Sequence, residues 1–197
     1  METAAGSEFI QPSGRFDRWV LDRVRERRGV TSLPHELEYR HIYVMPTRFG
    51  FWFGVLLALT VIGGLNFNNN MTLMLGFLLA SIALLTSLLA YRNLVGTTVH
   101  GILAKPVFCG ETAMFTVLLR NEEDRKRFAL TVRGEEGLDC DDLEPQSTRR
   151  LNLPLQTGQR GWMEMEPFRV ENSFPLGLFR AWSVIVPRAR CLVYPEP

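Results

Sequence analysis

Cysteine is scarce in this chain of 197 residues, and its few copies form no metal or redox pattern. The three cysteines are Cys109, Cys140 and Cys191. They are widely spaced, and no C-x-x-C pair of the kind that holds zinc or performs thiol exchange is present. An odd number of separated thiols is typical of the reducing cytoplasm, so we expect these cysteines to be reduced and structural.

Motifs for catalysis are also missing. The sequence has no Gly-x-x-x-x-Gly-Lys phosphate loop, no nucleophile elbow and no visible Ser/His/Asp set. An acidic run from Glu135 to Glu144 lacks the alternating ligands and the glycine of an EF-hand loop, which favours a solvated loop over a calcium site. The sequence therefore predicts a protein that is not an enzyme, with no cofactor and no metal ion.

Neither sign of charge is in excess, because 22 lysines and arginines are balanced by 21 aspartates and glutamates. The basic residues do not form a stripe with interleaved aromatic side chains, which a nucleic-acid footprint requires. We therefore expect no nucleic-acid partner for this protein.

Charge is absent altogether from two apolar stretches, Phe49 to Phe67 and Met71 to Tyr91, which are separated only by Asn68-Asn69-Asn70. A helix rises ~1.5 Å per residue, so about 19 to 21 residues cover roughly 28 to 31 Å, the thickness of a hydrocarbon core. Two buried core helices are the alternative, but a soluble helix of this length usually carries a polar face. The pattern predicts a transmembrane helical hairpin over residues 49–91, with the lipid bilayer as its partner.

Arginines flank the hairpin and indicate its orientation. Arg40 and Arg48 precede the first stretch, Arg92 follows the second, and the turn between the stretches has no charge. Because short cytoplasmic flanks are enriched in lysine and arginine, we expect both termini to face the cytoplasm. The first stretch lies far from the N-terminus and lacks a small-residue cleavage pattern, so it should remain in the mature protein.

Residues 1–48 should form a cytoplasmic N-terminal segment. Between Arg15 and Arg28, apolar side chains fall near one helical face, which predicts an amphipathic helix. Two placements fit this helix equally well: on the membrane surface, or docked on the domain that follows the hairpin. Residues 31–46 contain Pro34 and Pro46, and this pattern indicates an extended linker.

Small residues recur every four positions within the hairpin. They are Gly50, Gly54 and Ala58 on the first helix, and Gly76 and Ala80 on the second. Because small side chains let helices approach closely in lipid, these faces predict the seam inside the hairpin, and a dimerisation face is the alternative. The ionisable residues that transporters and channels place at mid-membrane are missing, which indicates an anchor.

Beyond Arg92 the pattern changes from helical to alternating. Apolar residues alternate over 95–99, 113–119 and 128–132, with turn residues between these runs, as in half-buried strands. Further strands are expected at 148–153, 162–170, 178–186 and 191–194. About seven short strands at this spacing predict a cytoplasmic, antiparallel β-sandwich of the immunoglobulin type over residues 92–197, with an open barrel as the alternative. The predicted fold class is thus an α+β membrane protein.

The most specific local motif is a turn with proline and glycine. It comprises Phe174, Pro175, Leu176, Gly177, Leu178, Phe179 and Arg180. It contains no nucleophile and no acid/base pair, so the motif predicts a structural turn whose apolar residues hold it to the core. The side chain of Arg180 would remain available to bind a partner or to form a salt bridge.

Several motifs together resemble the bacterial domain of unknown function 58 (DUF58) family. They are Tyr91-Arg92-Asn93-Leu94, Val107-Phe108-Cys109-Gly110-Glu111, Arg160-Gly161-Trp162, Phe174 to Arg180 and Val193-Tyr194-Pro195. Their order is similar to that of the family, in which an Arg-rich lead and two adjacent membrane helices precede a β domain. The resemblance covers nearly everything from Arg15 to Pro197.

This resemblance implies a biological setting, not a reaction. It implies a multi-pass protein of the bacterial inner membrane that works with a MoxR-type AAA ATPase and a transglutaminase-like membrane protein in the assembly or maturation of other complexes. Family members continue past Val-Tyr-Pro into a further segment, whereas this sequence stops at Pro197, so we expect it to be a fragment. The metal-adhesion sequence Asp-x-Ser-x-Ser, found in some von Willebrand A-like folds, does not occur here.

Three functional hypotheses follow from these patterns. The leading one is a membrane-anchored cytoplasmic interaction or scaffold module that presents a sandwich edge or a loop face to a soluble partner. The second is the anchor and support portion of an enzyme whose catalytic residues lie beyond Pro197. The third is an extracytoplasmic ligand-binding module, which requires the opposite membrane orientation.

Overall fold

The structure is a computed structural model that describes residues 31–37 and 41–195. The predicted amphipathic helix between Arg15 and Arg28 lies outside these residues. Within them, two long helices are accompanied by mostly antiparallel sheets, so the α+β class predicted from the sequence is confirmed.

Two helices occupy the apolar stretches. Helix α1 spans Arg48–Asn66 and helix α2 spans Asn70–Leu94. Both are long and apolar enough to cross a membrane, and few of their residues are buried inside the molecule. This exposure differs from that of a core helix in a soluble protein, which is hydrophobic because it is enclosed.

Polar residues cap the starts of both helices. Thr47 Oγ1 accepts the Gly50 N–H at 3.1 Å, and Asn69 Oδ1 accepts the Met71 N–H at 3.0 Å. Such side chains satisfy backbone donors that have no partner in the first helical turn. Asn68 has a φ of +49°, a conformation that asparagine tolerates better than most residues, and it closes the tight connection between the helices.

Twelve strands are present in the described part of the chain. They are β1 (His35–Glu36), β2 (Tyr43–Pro46), β3 (Thr97–Ala104), β4 (Val107–Phe108), β5 (Thr112–Asn121), β6 (Arg127–Arg133), β7 (Leu138–Leu143), β8 (Thr148–Gln156), β9 (Gly161–Glu164), β10 (Phe168–Asn172), β11 (Phe179–Ile185) and β12 (Arg190–Tyr194). The three alternating runs predicted from the sequence correspond to β3, β5 and β6.

These strands form three sheets. The first has the order β1-β3-β5-β8, the second β2-β11-β10-β6-β7 and the third β4-β12-β9. All the paired strands are antiparallel except β4 and β12, which run parallel. Phe115 and Leu151 of the first sheet and Val132 and Phe168 of the second belong to one cluster of buried apolar residues. The domain is therefore held together by a core between these two sheets.

The described segment before α1 contributes two short strands to the sheets, which differs from the predicted linker. Strand β1 pairs with β3, and β2 pairs with β11 along its whole length. Thr31 donates its N–H to the carbonyl of Val186, just beyond β11, at 2.8 Å. Both β1 and β2 lie at sheet edges, where a proline is tolerated because one side of the strand needs no ladder hydrogen bond. The prolines of this segment therefore accompany edge strands.

The sheets have one end at the helices and one end away from them. Strand β3 starts at Thr97, after a two-residue connection from α2, and its eight residues carry the chain about 25 Å away. Thr97 pairs with Asn121 at the end of β5, whereas Ala104 pairs with Phe115 near the start of β5. Strands β4 and β9 follow the distant ends of β3 and β8, and β12 lies between them. We call the two ends helix-proximal and helix-distal.

Candidate functional site

The turn with proline and glycine lies at the helix-proximal end, between β10 and β11. Asn172, the last residue of β10, is buried, and its side-chain amide donates to the Ala90 carbonyl of α2 at 3.4 Å. The side-chain oxygen of Asn172 accepts the Phe174 N–H at 2.8 Å. Asn172 therefore holds the turn beside the end of α2.

The start of α1 also packs on this turn. Thr47 donates its N–H to the Leu178 carbonyl at 2.9 Å and its hydroxyl to the Gly177 carbonyl. A Cβ atom at Gly50 would lie 1.9 Å from the Leu178 carbonyl oxygen, so only glycine leaves room for this approach. The turn motif and Gly50, which the sequence suggested for different reasons, thus form one contact between α1 and the sheets.

The small residues of α1 do not follow the predicted seam. Gly50 contacts the sheets, nothing lies within 4 Å of a Cβ atom built at Gly54, and Ala58 is exposed. A four-residue repeat places these residues on one helical face, but the neighbour of that face changes along the helix. The predicted seam on α1 is therefore corrected at these positions: Gly50 packs on Leu178, and Gly54 and Ala58 are exposed.

The contact between the two helices runs through other residues of α1. A Cβ atom at Gly76 of α2 would lie 2.8 Å from Val61 Cγ2, and one at Gly64 of α1 would lie 2.9 Å from the Leu73 side chain. Ala80, the second small residue named on α2, is half-buried. Both of these close approaches thus lie in the halves of the helices nearer the Asn turn.

Residues at the end of α2 are bound to β6. Asn93 donates from its side-chain amide to the Phe128 carbonyl at 2.7 Å and accepts the Phe128 N–H at 3.1 Å. The Phe128 ring in turn stacks on Phe174, with 4.7 Å between the ring centroids. Because two hydrogen bonds join one side chain to one backbone residue, they set both the distance and the direction of approach. Helix α2, β6 and the turn therefore meet at Phe128.

A fully buried arginine, Arg127, lies next to this contact. Its guanidinium donates to the Asn93 carbonyl at 2.9 Å, to the Val95 carbonyl, and to Asn121 Oδ1 at 2.9 Å. Its Nη2 lies 3.2 Å from Glu123 Oε1. The last carbonyls of a helix lack donors and carry partial negative charge, so a cation at this place caps α2. The sequence did not single out Arg127.

Burial has an electrostatic consequence for this residue. It lowers the pKa of the Arg127 guanidinium from its ordinary value, while the Glu123 carboxylate opposes the change. An arginine keeps its charge in proteins even so, because its ordinary pKa is so high. The junction between α2 and the sheets therefore contains a permanent positive charge that is enclosed and bound to backbone carbonyls.

Strand β6 has a bulge directly after Arg127. The pairing of β6 with β7 shifts between Arg127 and Leu130, and Ala129 has a φ of +47°. Asp142 of β7 accepts the Ala129 N–H at 2.9 Å, and its other oxygen lies 3.2 Å from Lys126 Nζ. The hydrogen bond from Ala129 is the largest cause of a lowered pKa at Asp142, and Lys126 adds to it.

The stabilising effect of Asp142 should depend on pH. Because its pKa is lower in the folded protein than in the unfolded chain, the ionised carboxylate stabilises the fold above the unfolded value of about 3.9. This contribution is lost as the pH falls through the folded-state pKa. We expect the difference in unfolding free energy between the wild type and Asp142→Asn to be constant at neutral pH and to shrink below about pH 4. Urea titrations across pH measure it; a difference unchanged down to about pH 2 would contradict the assignment.

Charged residues are also buried on the outer face of the second sheet. Glu171 of β10 is buried and accepts from Arg133 Nε at 2.8 Å, and Arg180 Nη1 lies 3.9 Å from its second oxygen. On the same face, the Arg169 guanidinium lies 5.2 Å from the Trp182 ring centroid, a cation–π distance. Arg180, predicted for a partner or a salt bridge, is thus beside an acidic side chain and remains partly exposed.

The helix-distal end carries an exposed face of large apolar side chains. Phe108, Trp162 and Tyr194 are exposed, Trp162 most of all at 69%. The register places Phe108 beside Tyr194 and Trp162 beside Leu192, and residues 192 and 194 point to the same side of β12. We define these four residues as the distal aromatic face. Large patches of exposed apolar residues are more common on partner-binding surfaces than on the rest of a protein surface.

Strand β9 adds an open sheet edge to this face. Within residues 31–37 and 41–195, β9 pairs with β12 and with no other strand. An edge strand presents unpaired N–H and C=O groups, to which an extended peptide can add as a further strand. An open depression lined in part by Cys109, Gln159 and Arg160 lies at the same end. Backbone groups, aromatic rings and a cation are thus available to a partner.

Comparison with known proteins gives no assignment to these surfaces. No protein-family model matches the chain, and no curated protein matches it. The resemblance to the DUF58 family therefore stays a prediction. In the part of the chain that the structure describes, no group of three or more histidines, cysteines, aspartates or glutamates is placed to hold a metal ion.

Proposed function

We propose that this protein is a membrane-anchored interaction module of the bacterial inner membrane. In this proposal the two helices cross the bilayer as a hairpin, both termini lie in the cytoplasm, and the sheets form an immunoglobulin-like sandwich on the cytoplasmic side. We assign it no catalytic role; binding is its activity. The observation that carries the proposal is that one domain has the helices at one end and the distal aromatic face at the other.

Sheet pairing supports the hairpin arrangement. The chain before α1 contributes β1 and β2, and the chain after α2 contributes the strands with which they pair. Strands of one sheet lie on the same side of a bilayer, so the segment between them must cross it an even number of times. Arg48 at the start of α1 and Arg92 near the end of α2 favour the cytoplasm for that side.

Short connections support a scaffold role. Thr47 alone separates β2 from α1, and Val95 and Gly96 alone separate α2 from β3. The contacts of Gly50 with Leu178 and of Arg127 with the end of α2 restrict rotation of the sheets relative to the helices. The distal aromatic face is therefore held about 25 Å from the helix ends, the length of an eight-residue strand.

The class of partner comes from the DUF58 resemblance. It implies a soluble MoxR-type AAA ATPase, with a transglutaminase-like membrane protein in the same assembly. Large aromatic side chains at the centre of an interface contribute much of the binding energy in protein complexes. Trp162 and Tyr194 offer such anchors, and the edge of β9 offers strand addition, so we place the ATPase contact at the distal aromatic face.

Binding of a purified MoxR-type ATPase from the same genome to the full chain in lipid nanodiscs tests this function. We expect Trp162→Ser to weaken binding at least about tenfold, or ~1.4 kcal/mol, because an aromatic anchor is lost. Met114→Ser is the matched control, since Met114 is also exposed but lies on the outer face of the first sheet. Absence of binding by the wild-type chain, or equal losses in the two variants, would refute the proposed interface.

A further inference from the structure

The turn at the helix-proximal end is level with the ends of both apolar stretches. Leu178 contacts Gly50, the second residue of the first stretch, and Asn172 contacts Ala90, the last but one residue of the second. Helical residues rise ~1.5 Å each, so both contacts lie within a few ångströms of the points where the helices would enter the hydrocarbon. The turn between Asn172 and Leu178 therefore lies at that same level.

The tip of this turn is apolar and exposed. Leu176 is 54% exposed, and no charged residue occurs from Phe174 to Phe179. Two arginines flank it: Arg48 is exposed on the first turn of α1, and Arg180 is partly exposed on β11. An apolar residue accompanied by cations is typical of segments that lie among lipid headgroups, because the apolar group enters the acyl boundary while the cations stay at the phosphates.

We propose that this turn inserts into the membrane interface beside the two helices, as a third contact with the bilayer. Leu176 enters the boundary between headgroups and acyl chains, and Arg48 and Arg180 remain at the level of the lipid phosphates. Because the helices set the height of the turn, this insertion rests on the proposed membrane anchor. A third contact resists tilting of the sheets, so it keeps the distal aromatic face directed away from the membrane.

Fluorescence from a single labelled cysteine tests the insertion in the full chain. Cys109 and Cys140 are replaced by serine, while Cys191 is kept because it is buried and burial raises the pKa of its thiol, which makes it unreactive. In this background one leucine at a time is changed to cysteine and labelled with the dye NBD, whose emission shifts to the blue in an apolar environment. The protein is placed in nanodiscs of phosphatidylcholine and phosphatidylglycerol.

Three label positions distinguish insertion of the turn from insertion of the two helices. Leu176→Cys reports the turn, and Leu103→Cys is its matched control, because Leu103 is a leucine of nearly equal exposure, 55%, toward the helix-distal end of β3. Leu59→Cys reports the bilayer itself, since Leu59 is exposed near the middle of α1. Lipids with a nitroxide near the headgroup or deep in the acyl chain then quench each label according to its depth.

We expect blue-shifted emission at positions 59 and 176 and water-like emission at position 103. The shallow nitroxide should quench position 176 most, and the deep nitroxide should quench position 59 most. A lipid-quenched label at 59 with a water-like, unquenched label at 176 would overturn the insertion of the turn and leave the membrane anchor standing. Water-like emission at position 59 would overturn both.

Discussion

Replacing Arg127 with methionine should lower the free energy of unfolding by about 3 kcal/mol, because two buried acceptors each lose a donor at a cost of ~1–3 kcal/mol. Those buried acceptors are the Asn93 carbonyl at the end of α2 and Asn121 Oδ1, and the part-buried Val95 carbonyl loses a donor as well. Methionine fills much of the same space but donates no hydrogen bond. Urea unfolding of the full chain in detergent micelles, followed by tryptophan fluorescence, measures the change.

Two further variants separate this effect from a simple loss of charge. Arg120→Met removes an arginine whose ion pair with Glu122 is exposed, so this variant should lower the free energy of unfolding by less than about 1 kcal/mol. Arg127→Lys keeps the charge but loses the planar fork that binds several acceptors, so it should recover only part of the stability. Equal losses for Arg127→Met and Arg120→Met would contradict the capping role.

Replacing Gly50 with alanine should separate the start of α1 from the turn. The free energy of unfolding should fall by about 2 kcal/mol, which is typical of overpacking a tight contact. The added Cβ atom would lie 1.9 Å from the Leu178 carbonyl oxygen, and a backbone atom cannot rotate aside as a flexible side chain can. The Thr47 N–H, which donates to the same oxygen, should then exchange with solvent faster. Hydrogen exchange at Thr47 and the free energy of unfolding are the two measurements.

Gly54→Ala, one helical turn further along α1, is the matched control. Nothing lies within 4 Å of a Cβ atom at Gly54, so alanine meets open space and should leave stability unchanged or slightly raised. If the small residues formed one packing face, as their spacing suggested, both substitutions would have similar effects. A Gly50→Ala variant as stable as Gly54→Ala would show that α1 does not depend on its contact with Leu178.

The helices and central strands could be predicted because each carries its pattern within its own residues. Helix α1 begins one residue before the predicted stretch at Phe49, and β5 contains the alternating run from Ala113 to Leu119. Strands β1 and β2 could not be predicted, because they are short and their prolines dominate the local pattern. They are strands only through β3 and β11, which come after both helices in the chain.

The junction could not be predicted, because its contacts join residues that are distant in the sequence. Asn93 and Phe128 are 35 residues apart, and Thr47 and Leu178 are 131 residues apart. Arg127 lies in a stretch of mixed charge, where an arginine is usually exposed, and only the folded chain encloses it. Gly50 was found from the spacing of small residues, but that spacing assigned it to the wrong neighbour.

The distal aromatic face could also not be predicted from sequence patterns. Trp162 appeared only as the start of a predicted strand and as part of a short motif, and the side on which it lies depends on its pairing with Leu192 in β12. Strand alternation predicts which residues share a face, but not which face the rest of the fold covers. In the third sheet the side that bears Cys191 and Val193 is buried, so the aromatic residues are left outside.

The pairing of β2 with β11 determines the order in which this protein can be made. Thr47 and Leu178, which adjoin the two strands, are 131 residues apart, so β2 leaves the ribosome long before its partner. At a synthesis rate of roughly 5–20 residues per second, β2 waits on the order of ten seconds. In the proposed membrane arrangement, the hairpin enters the bilayer during that interval, while β2 is still unpaired. In that arrangement, insertion of α1 without α2 would leave β2 and β11 on opposite sides of the bilayer, so the complete sheet forms only after both helices have crossed.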